Sequence, residues 1–178
     1  MEDVGEALQR FERARGINLE ELKTNDRFID VVMQASQVAL RNSQQEKREA
    51  LRNAVLNSAL PSPPDHSLQQ IFIGSVDSLT IWHLRLLKLF NEPRRWFNKN
   101  NRTWPDNLSI GGLSHVVEEA FPELRGKRDL YDQIWRDLYS RGFVNTEGLH
   151  VTMTGTGLAA QRTTTLGASF IRFIEEPA

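Results

Sequence analysis

The sequence predicts a mainly α-helical protein with one small β-hairpin. Apolar residues recur every three or four positions through most of the chain, which is the spacing that places them on one helix face. Strict alternation of apolar and polar residues is confined to residues 149–153, and glycines suited to a tight turn follow it. The 39% apolar and 25% charged residues are typical of a folded domain.

Residues 1–60 are predicted to form an N-terminal helical region. The expected helices cover residues 2–15, 26–41 and 44–60. Ser43 and Glu46 have the spacing of a capping box, in which each side chain accepts from the other's free backbone N–H at a helix start. The proline-rich residues 61–65 end this region, because proline lacks the N–H that continues a helix.

Residues 61–178 are predicted to form a second domain that contains the hairpin. Its helices are expected at residues 67–90 (with a break at Asp77-Ser78), 109–120, 130–141 and 166–174. Gly142 ends the helix before the hairpin, where a left-handed residue is needed. The hairpin is expected at residues 149–163, with Gly155 and Gly157 at its tip. Residues 91–107 are predicted to be a long loop that can add one short strand, and such loops are often functional or self-packed.

The composition limits the compartment and the chemistry. A formal net charge of −1 gives no overall attraction to DNA or anionic membranes. The absence of cysteine excludes disulfides, thiolate metal sites and a cysteine nucleophile. Glu2, Asp3 and Glu6 stand where a signal peptide would carry positive charge, and no apolar run approaches the roughly 20 residues of a membrane span. We therefore expect a cytoplasmic protein without a membrane partner.

The second domain resembles a winged-helix domain in the order of its elements. The residues that carry the resemblance most specifically are Arg141-Gly142-Phe143-Val144 and Thr165-Leu166-Gly167. The whole chain is also similar, more weakly, to the abortive-infection alpha class of bacterial proteins, through the segment from Leu51-Arg52-Asn53-Ala54 to Leu86-Leu87. The first resemblance implies a winged-helix-like C-terminal domain packed against the N-terminal helices. The second implies a role in phage defence.

The helix at residues 130–141 is the candidate DNA-recognition helix of such a domain. Its outward face carries both acids and bases (Arg128, Asp129, Asp132, Gln133 and Arg136), which is typical of a solvated face. A DNA-reading helix would place those carboxylates against phosphates. Arg125, Lys127 and Arg128 at its start, with Arg162 in the hairpin, keep DNA binding as the alternative function.

A second basic group runs from the helix before the predicted loop into that loop. Its cations are Arg85, Lys88, Arg94, Arg95, Lys99 and Arg102, and Trp96 and Trp104 are interleaved with them. Cations beside exposed aromatic rings can hold phosphates and stack bases. The competing interpretation, which we favour, is that both tryptophans anchor the loop to the domain while the charges face water.

No catalytic, cofactor or metal site is predicted. The four histidines lie in different elements, and the His115–Glu119 pair lacks the further ligands of a metal site. Gly155-Thr156-Gly157 lacks the lysine and third glycine of a phosphate loop. We therefore predict a non-catalytic protein-interaction module, not an enzyme.

The N-terminal helices are the predicted interaction surface. Small residues on their stripes, such as Ala35 and Ala54, bury little apolar area and need further cover. Val4, Leu8 and Phe11 form another stripe without an obvious partner in the chain. The prediction is a homodimer, or docking onto another protein, through these helices.

Overall fold

The computed structural model describes residues 4–15, 17–105 and 110–177. Among these residues it contains eleven α-helices and one two-stranded antiparallel sheet, which confirms the mainly helical class with a small β element. The chain divides into two compact units. The first comprises the residues up to Ile81 together with those from Ser169 onward, and the second comprises Trp82–Ala168.

The first unit contains five helices before residue 81. They are α1 (Val4–Arg15), α2 (Leu19–Lys23), α3 (Asp26–Arg41), α4 (Gln45–Ser58) and α5 (His66–Ser78). The unit extends past residue 60, where the sequence suggested a boundary, because α5 packs on both α3 and α4. Helix α2 was not predicted. It forms because the side chain of Asn18 accepts the backbone N–H groups of Glu20 and Glu21.

The core of the first unit joins its helices through small and aromatic side chains. Ala35 and Ala54 are buried, as their places on the stripes predicted. The ring of Phe72 on α5 lies 5.4 Å from Phe170 and 5.6 Å from Phe173, which belong to the last helix. The side chains of Val4 and Phe11 lie outside the described part of α1.

The start of α4 differs from the prediction. Gln44 is the residue before the helix and makes no side-chain cap, so the capping box of Ser43 and Glu46 is wrong. Instead, Arg48 Nε donates to the carbonyl oxygen of Asn42 at 2.7 Å and holds the preceding turn. A buried lysine fixes the other side of α4, because Lys47 Nζ donates to the carbonyl oxygen of Asp77 at 2.8 Å.

The second unit contains the small sheet and the remaining helices. Its elements are α6 (Ile81–Asn91), α7 (Pro93–Lys99), β1 (Ile110–Gly111), α8 (Leu113–Ala120), α9 (Arg128–Ser140), β2 (Met153–Thr154), α10 (Gly155–Leu158) and α11 (Thr165–Ile174), which ends in the first unit. The break near Asp77-Ser78 is confirmed. The loop predicted at residues 91–107 is wrong over α7, where Pro93 occupies the first helical turn and needs no N–H partner there.

The small sheet uses different residues from the predicted hairpin. β1 pairs with β2, with Ile110 opposite Thr154, so β1 is formed by residues predicted as the start of the helix at 109–120, and residues 149–163 contribute only one strand. A helical turn, α10, replaces the hairpin tip. It forms because Thr154 Oγ1 accepts the N–H of Gly157 at 3.3 Å, which is the bond of a helix N-cap.

Helix α9 and the segment after it follow the prediction closely. Tyr131, Ile134, Trp135 and Leu138 are all buried. Trp135 packs edge-on against Phe90 at 4.9 Å and donates from Nε1 to the carbonyl oxygen of Thr146 at 2.8 Å. Gly142 has a φ of 71°, which confirms the left-handed end of this helix.

Candidate protein-interaction surface

The first three helices of the first unit line an open apolar groove of about 350 Å³. Its lining residues are Gly5, Leu8 and Gln9 of α1, Leu19, Leu22 and Lys23 of α2, and Phe28, Ile29, Val32 and Met33 of α3. We call this surface the N-terminal groove. Most of its lining is aliphatic or aromatic, and its volume is at the lower end of typical ligand-pocket volumes, about 300–1,000 Å³.

The groove exists because α3 has apolar residues on two faces. Val31, Ala35 and Val38 form the buried face. Ile29 and Met33, four positions apart, form a second ridge that borders the groove, and they remain 36% and 57% exposed. Met33 is therefore a large apolar side chain that the rest of the unit does not cover.

One charged residue belongs to the groove lining, and it is paired. Lys23 Nζ lies 2.6 Å from Glu20 Oε1 on the same helix. Both side chains are largely exposed, so the pair contributes little to stability. The lysine is therefore accompanied by a carboxylate and is not an isolated positive charge at the groove.

The N-terminal groove lies on helices for which the sequence predicted an interaction surface, but sequence reasoning missed most of the residues that line it. Leu8 was named, whereas Leu19, Leu22, Ile29 and Met33 were not. Two signals were present: Asn18 before a short apolar helix, and the four-residue spacing of Ile29 and Met33 beside the main stripe.

The two tryptophans near the basic residues of α7 pack against other side chains of the second unit. Trp104 is 9% exposed, and the guanidinium of Arg94 lies 5.0 Å from its ring centroid. Trp96 is half-buried and packs against Phe121 at 5.0 Å. These contacts confirm that the tryptophans anchor the segment, which was the favoured interpretation.

The remaining nucleic-acid candidates are spread over separate elements. Arg95 pairs with Glu92 at 2.9 Å, Arg125 with Glu119 at 3.0 Å, and Arg128 with Asp132 at 3.4 Å. Arg162, which lies after α10, donates to the carbonyl oxygen of Gly157 and is half-buried. Lys99, Arg102 and Lys127 are exposed. Nucleic-acid binding by this set stays a prediction.

Several polar pairs lie along α9 that the sequence did not reveal. His150 Nε2 lies 2.7 Å from Asp132 Oδ1, and His83 Nε2 lies 3.3 Å from Asp137 Oδ2. The Tyr131 hydroxyl donates to Glu118 Oε1 at 3.0 Å. Burial, together with this bond to a carboxylate, raises the pKa of Tyr131 to about 12. These pairs connect α9 to its neighbours and give Asp132 and Asp137 partners within the chain.

The histidine candidate for a metal site has other partners. His115 Nδ1 accepts the N–H of Gly112 at 3.4 Å, while Glu119 is engaged by Arg125. In the part of the chain that the structure describes, no three His, Asp or Glu side chains come close enough together to hold a metal ion. Every helix in that part is also too short or too polar to span a membrane.

No family model, curated protein or solved structure matches this chain. The resemblances to winged-helix domains and to the abortive-infection alpha class therefore stay predictions, based on the residues quoted for them.

Proposed function

We propose that this chain is a non-catalytic protein-interaction module that binds a protein partner through the N-terminal groove. The observation that carries the proposal is the exposure of Ile29 and Met33 on the border of an apolar groove. Contiguous apolar surface of this kind marks binding sites in folded proteins more often than scattered single residues do. A role in phage defence would extend the proposal through the resemblance of residues 51–87.

The chemistry of the groove favours a protein partner. Its walls come from three helices and offer half-buried leucine, valine and phenylalanine side chains. Interface cores are depleted of charge and enriched in methionine and aromatic residues. The one charged lining residue, Lys23, is already compensated by Glu20.

A DNA-binding winged-helix regulator is the alternative, and it has less support. Arg125 and Arg128 are paired with Glu119 and Asp132, so binding phosphates would first break those pairs. A salt-dependent titration with duplex DNA discriminates the two functions. Submicromolar affinity at physiological salt, lost in an Arg128→Glu plus Arg162→Glu variant, would establish the alternative.

Site-specific crosslinking tests the proposal directly. A photoreactive amino acid replaces Met33 in the full chain, and a control protein carries it at Leu40, which is 86% exposed on the same helix but outside the groove. We expect a discrete protein adduct from position 33 in cells that naturally express the chain, and none from position 40. Light scattering at tens of micromolar then reports whether the adduct is a second copy. Equal adduct patterns from both positions would contradict the proposal.

A further inference from the structure

We infer that the partner of the N-terminal groove is an amphipathic helix of another protein, with basic residues flanking its apolar stripe. This inference rests on the proposed function and specifies the partner's shape and charge. Two properties of the surface carry it: the form of the apolar groove and the sign of the charges around it.

The form of the groove suits a helix. Three helices supply its walls, and Ile29 and Met33 provide a ridge with one-turn spacing along α3. An amphipathic helix presents apolar residues at i, i+3, i+4 and i+7, which is the usual way in which such a groove is filled. Leu22, Phe28 and Val32 are half-buried and offer the apolar floor for those anchors.

Among the described residues, exposed acidic side chains flank the groove. Glu12 follows the lining residues Leu8 and Gln9 by one turn, so it extends the same face of α1. Asp26 precedes Ile29 by three positions and flanks the groove at the start of α3. Both carboxylates are exposed.

The described cations of these helices do not balance the two acids. Lys23 is compensated by Glu20. Arg10 has no lining residue three or four positions away, which puts it on another face of α1. Arg27 borders a different pocket, beside Asp65. A partner with lysine or arginine on its flanks would complement this border.

The same charges argue against a second copy as the occupant. A two-fold symmetric dimer places the same patch of both chains together, so the border that carries Glu12 and Asp26 would face a patch with the same excess of negative charge. Like charges across an interface oppose association. The partner is therefore a different chain, of opposite charge.

Synthetic peptides test the charge and the shape together. Two fluorescent amphipathic helices of equal length carry the same leucine stripe, one with lysines and one with glutamates on its flanks. We expect the lysine peptide to bind the full chain at least about tenfold more tightly than the glutamate peptide, with the difference falling as salt is raised. Met33→Ser should weaken binding of the lysine peptide, whereas the matched Leu40→Ser should not.

A pair of neutralised variants tests the assignment of the charges. Glu12→Gln plus Asp26→Asn should reduce affinity for the lysine peptide about three- to tenfold. The control, Glu123→Gln plus Asp129→Asn, removes the same two charges from exposed positions of the second unit and should leave binding unchanged. Equal effects of the two double variants would overturn the charge assignment.

The outcomes separate this inference from the proposed function. If both peptides bind equally and Met33→Ser weakens both, the basic partner is wrong but the groove still binds protein. If neither peptide binds, the helical partner is wrong, and crosslinking from position 33 decides the proposed function independently. If Leu40→Ser weakens binding as much as Met33→Ser, the groove is not the binding surface.

Discussion

Helices α3 and α9 have the same amphipathic pattern but finish their outward faces differently. Helix α9 buries Trp135 and Leu138 and covers part of its other side with ion pairs such as Arg128–Asp132. Helix α3 buries only small or branched residues and keeps Ile29 and Met33 exposed beside the N-terminal groove. Charges that pair within the chain need no other molecule, whereas an exposed apolar face would gain stability if a protein partner covered it. Exposed apolar side chains also occur on α9, where Leu130 and Tyr139 are 43% and 42% exposed, but only those of α3 border the N-terminal groove, and this is why we propose α3 for the interaction surface.

Truncating the largest buried ring of α9 should have the greatest effect on stability. Trp135→Ala removes a side chain that is 1% exposed, together with its hydrogen bond to Thr146, and should lower the free energy of unfolding by about 3–5 kcal/mol. Urea denaturation followed by tryptophan fluorescence measures it, because Trp82, Trp96 and Trp104 remain in the second unit.

The comparison with α3 supplies the matched variant. Met33→Ala should change the stability by less than about 0.5 kcal/mol, since an exposed side chain loses few contacts. Far-UV circular dichroism must follow this variant, because the first unit contains no tryptophan. A cost near that of Trp135→Ala would mean that Met33 is packed in the free protein, and the distinction between the two helices would fail.

Two helical glycines, one in each unit, should respond to alanine with opposite signs. A Cβ on Gly167 would lie 2.1 Å from the carbonyl oxygen of Phe143, so Gly167→Ala should cost about 1–3 kcal/mol. Gly74 on α5 has open space around it, and Gly74→Ala should stabilise its helix by up to about 1 kcal/mol. Thermal unfolding by circular dichroism compares the two. A stabilising Gly167→Ala would show that this close approach relaxes easily.

The end of α11 depends on a side chain from α4. Asn57 Nδ2 donates to the carbonyl oxygens of Phe173 at 2.9 Å and Glu175 at 2.8 Å, which otherwise lack partners at a helix C-terminus. Asn57→Ala should therefore cost about 1 kcal/mol in urea unfolding followed by circular dichroism. Asn57→Asp has the same shape but no amide donor, and its charge opposes the helix dipole, so it should cost at least as much. An unchanged midpoint in both variants would remove this role.

The helices were predictable where periodicity and terminal residues agree. Gly142 after α9, the prolines after α4 and the buried face of α9 all follow from local patterns that tertiary packing did not alter. The position of the two-stranded element was wrong because Thr154 can cap a helical turn, and pairing with the distant Ile110 is invisible to a local pattern. Helix α7 was missed because prolines and basic residues suggested a loop, whereas burial of Phe97 stabilises a helix there.

The candidate surface was predictable only in part for a related reason. The sequence offers no obvious apolar partner for Leu8, and this favoured the N-terminal helices as the interaction surface. The second ridge of α3 was not readable from the sequence, because its residues lie close to the main stripe. Only the packing of α4 and α5 determines which of these residues are buried. Likewise, the ion pairs that engage Arg125 and Arg128 depend on how the chain folds.

A small effect at neutral pH, but the clearest pH dependence, should come from Tyr131 on α9. Tyr131→Phe removes the hydrogen bond to Glu118 and should cost about 0.5–1 kcal/mol near pH 7, because Glu118 is half-buried and can be solvated instead. The pKa of Tyr131 is raised to about 12 from 10.0, first by burial and then by Glu118.

This raised pKa sets the direction of the pH effect. In the unfolded chain the phenol loses its proton near pH 10, whereas in the folded chain it keeps the proton until about pH 12. The unfolded state therefore binds fewer protons in this range, and the contribution of Tyr131 to stability is complete below pH 10 and falls as the pH rises to about 12. Ultraviolet absorbance should detect a phenol that titrates near pH 12 in the wild type and is absent in Tyr131→Phe. The variant should also lose less stability than the wild type between these pH values, and equal losses would show that the outward charges of α9, instead of the buried phenol, control its alkaline unfolding.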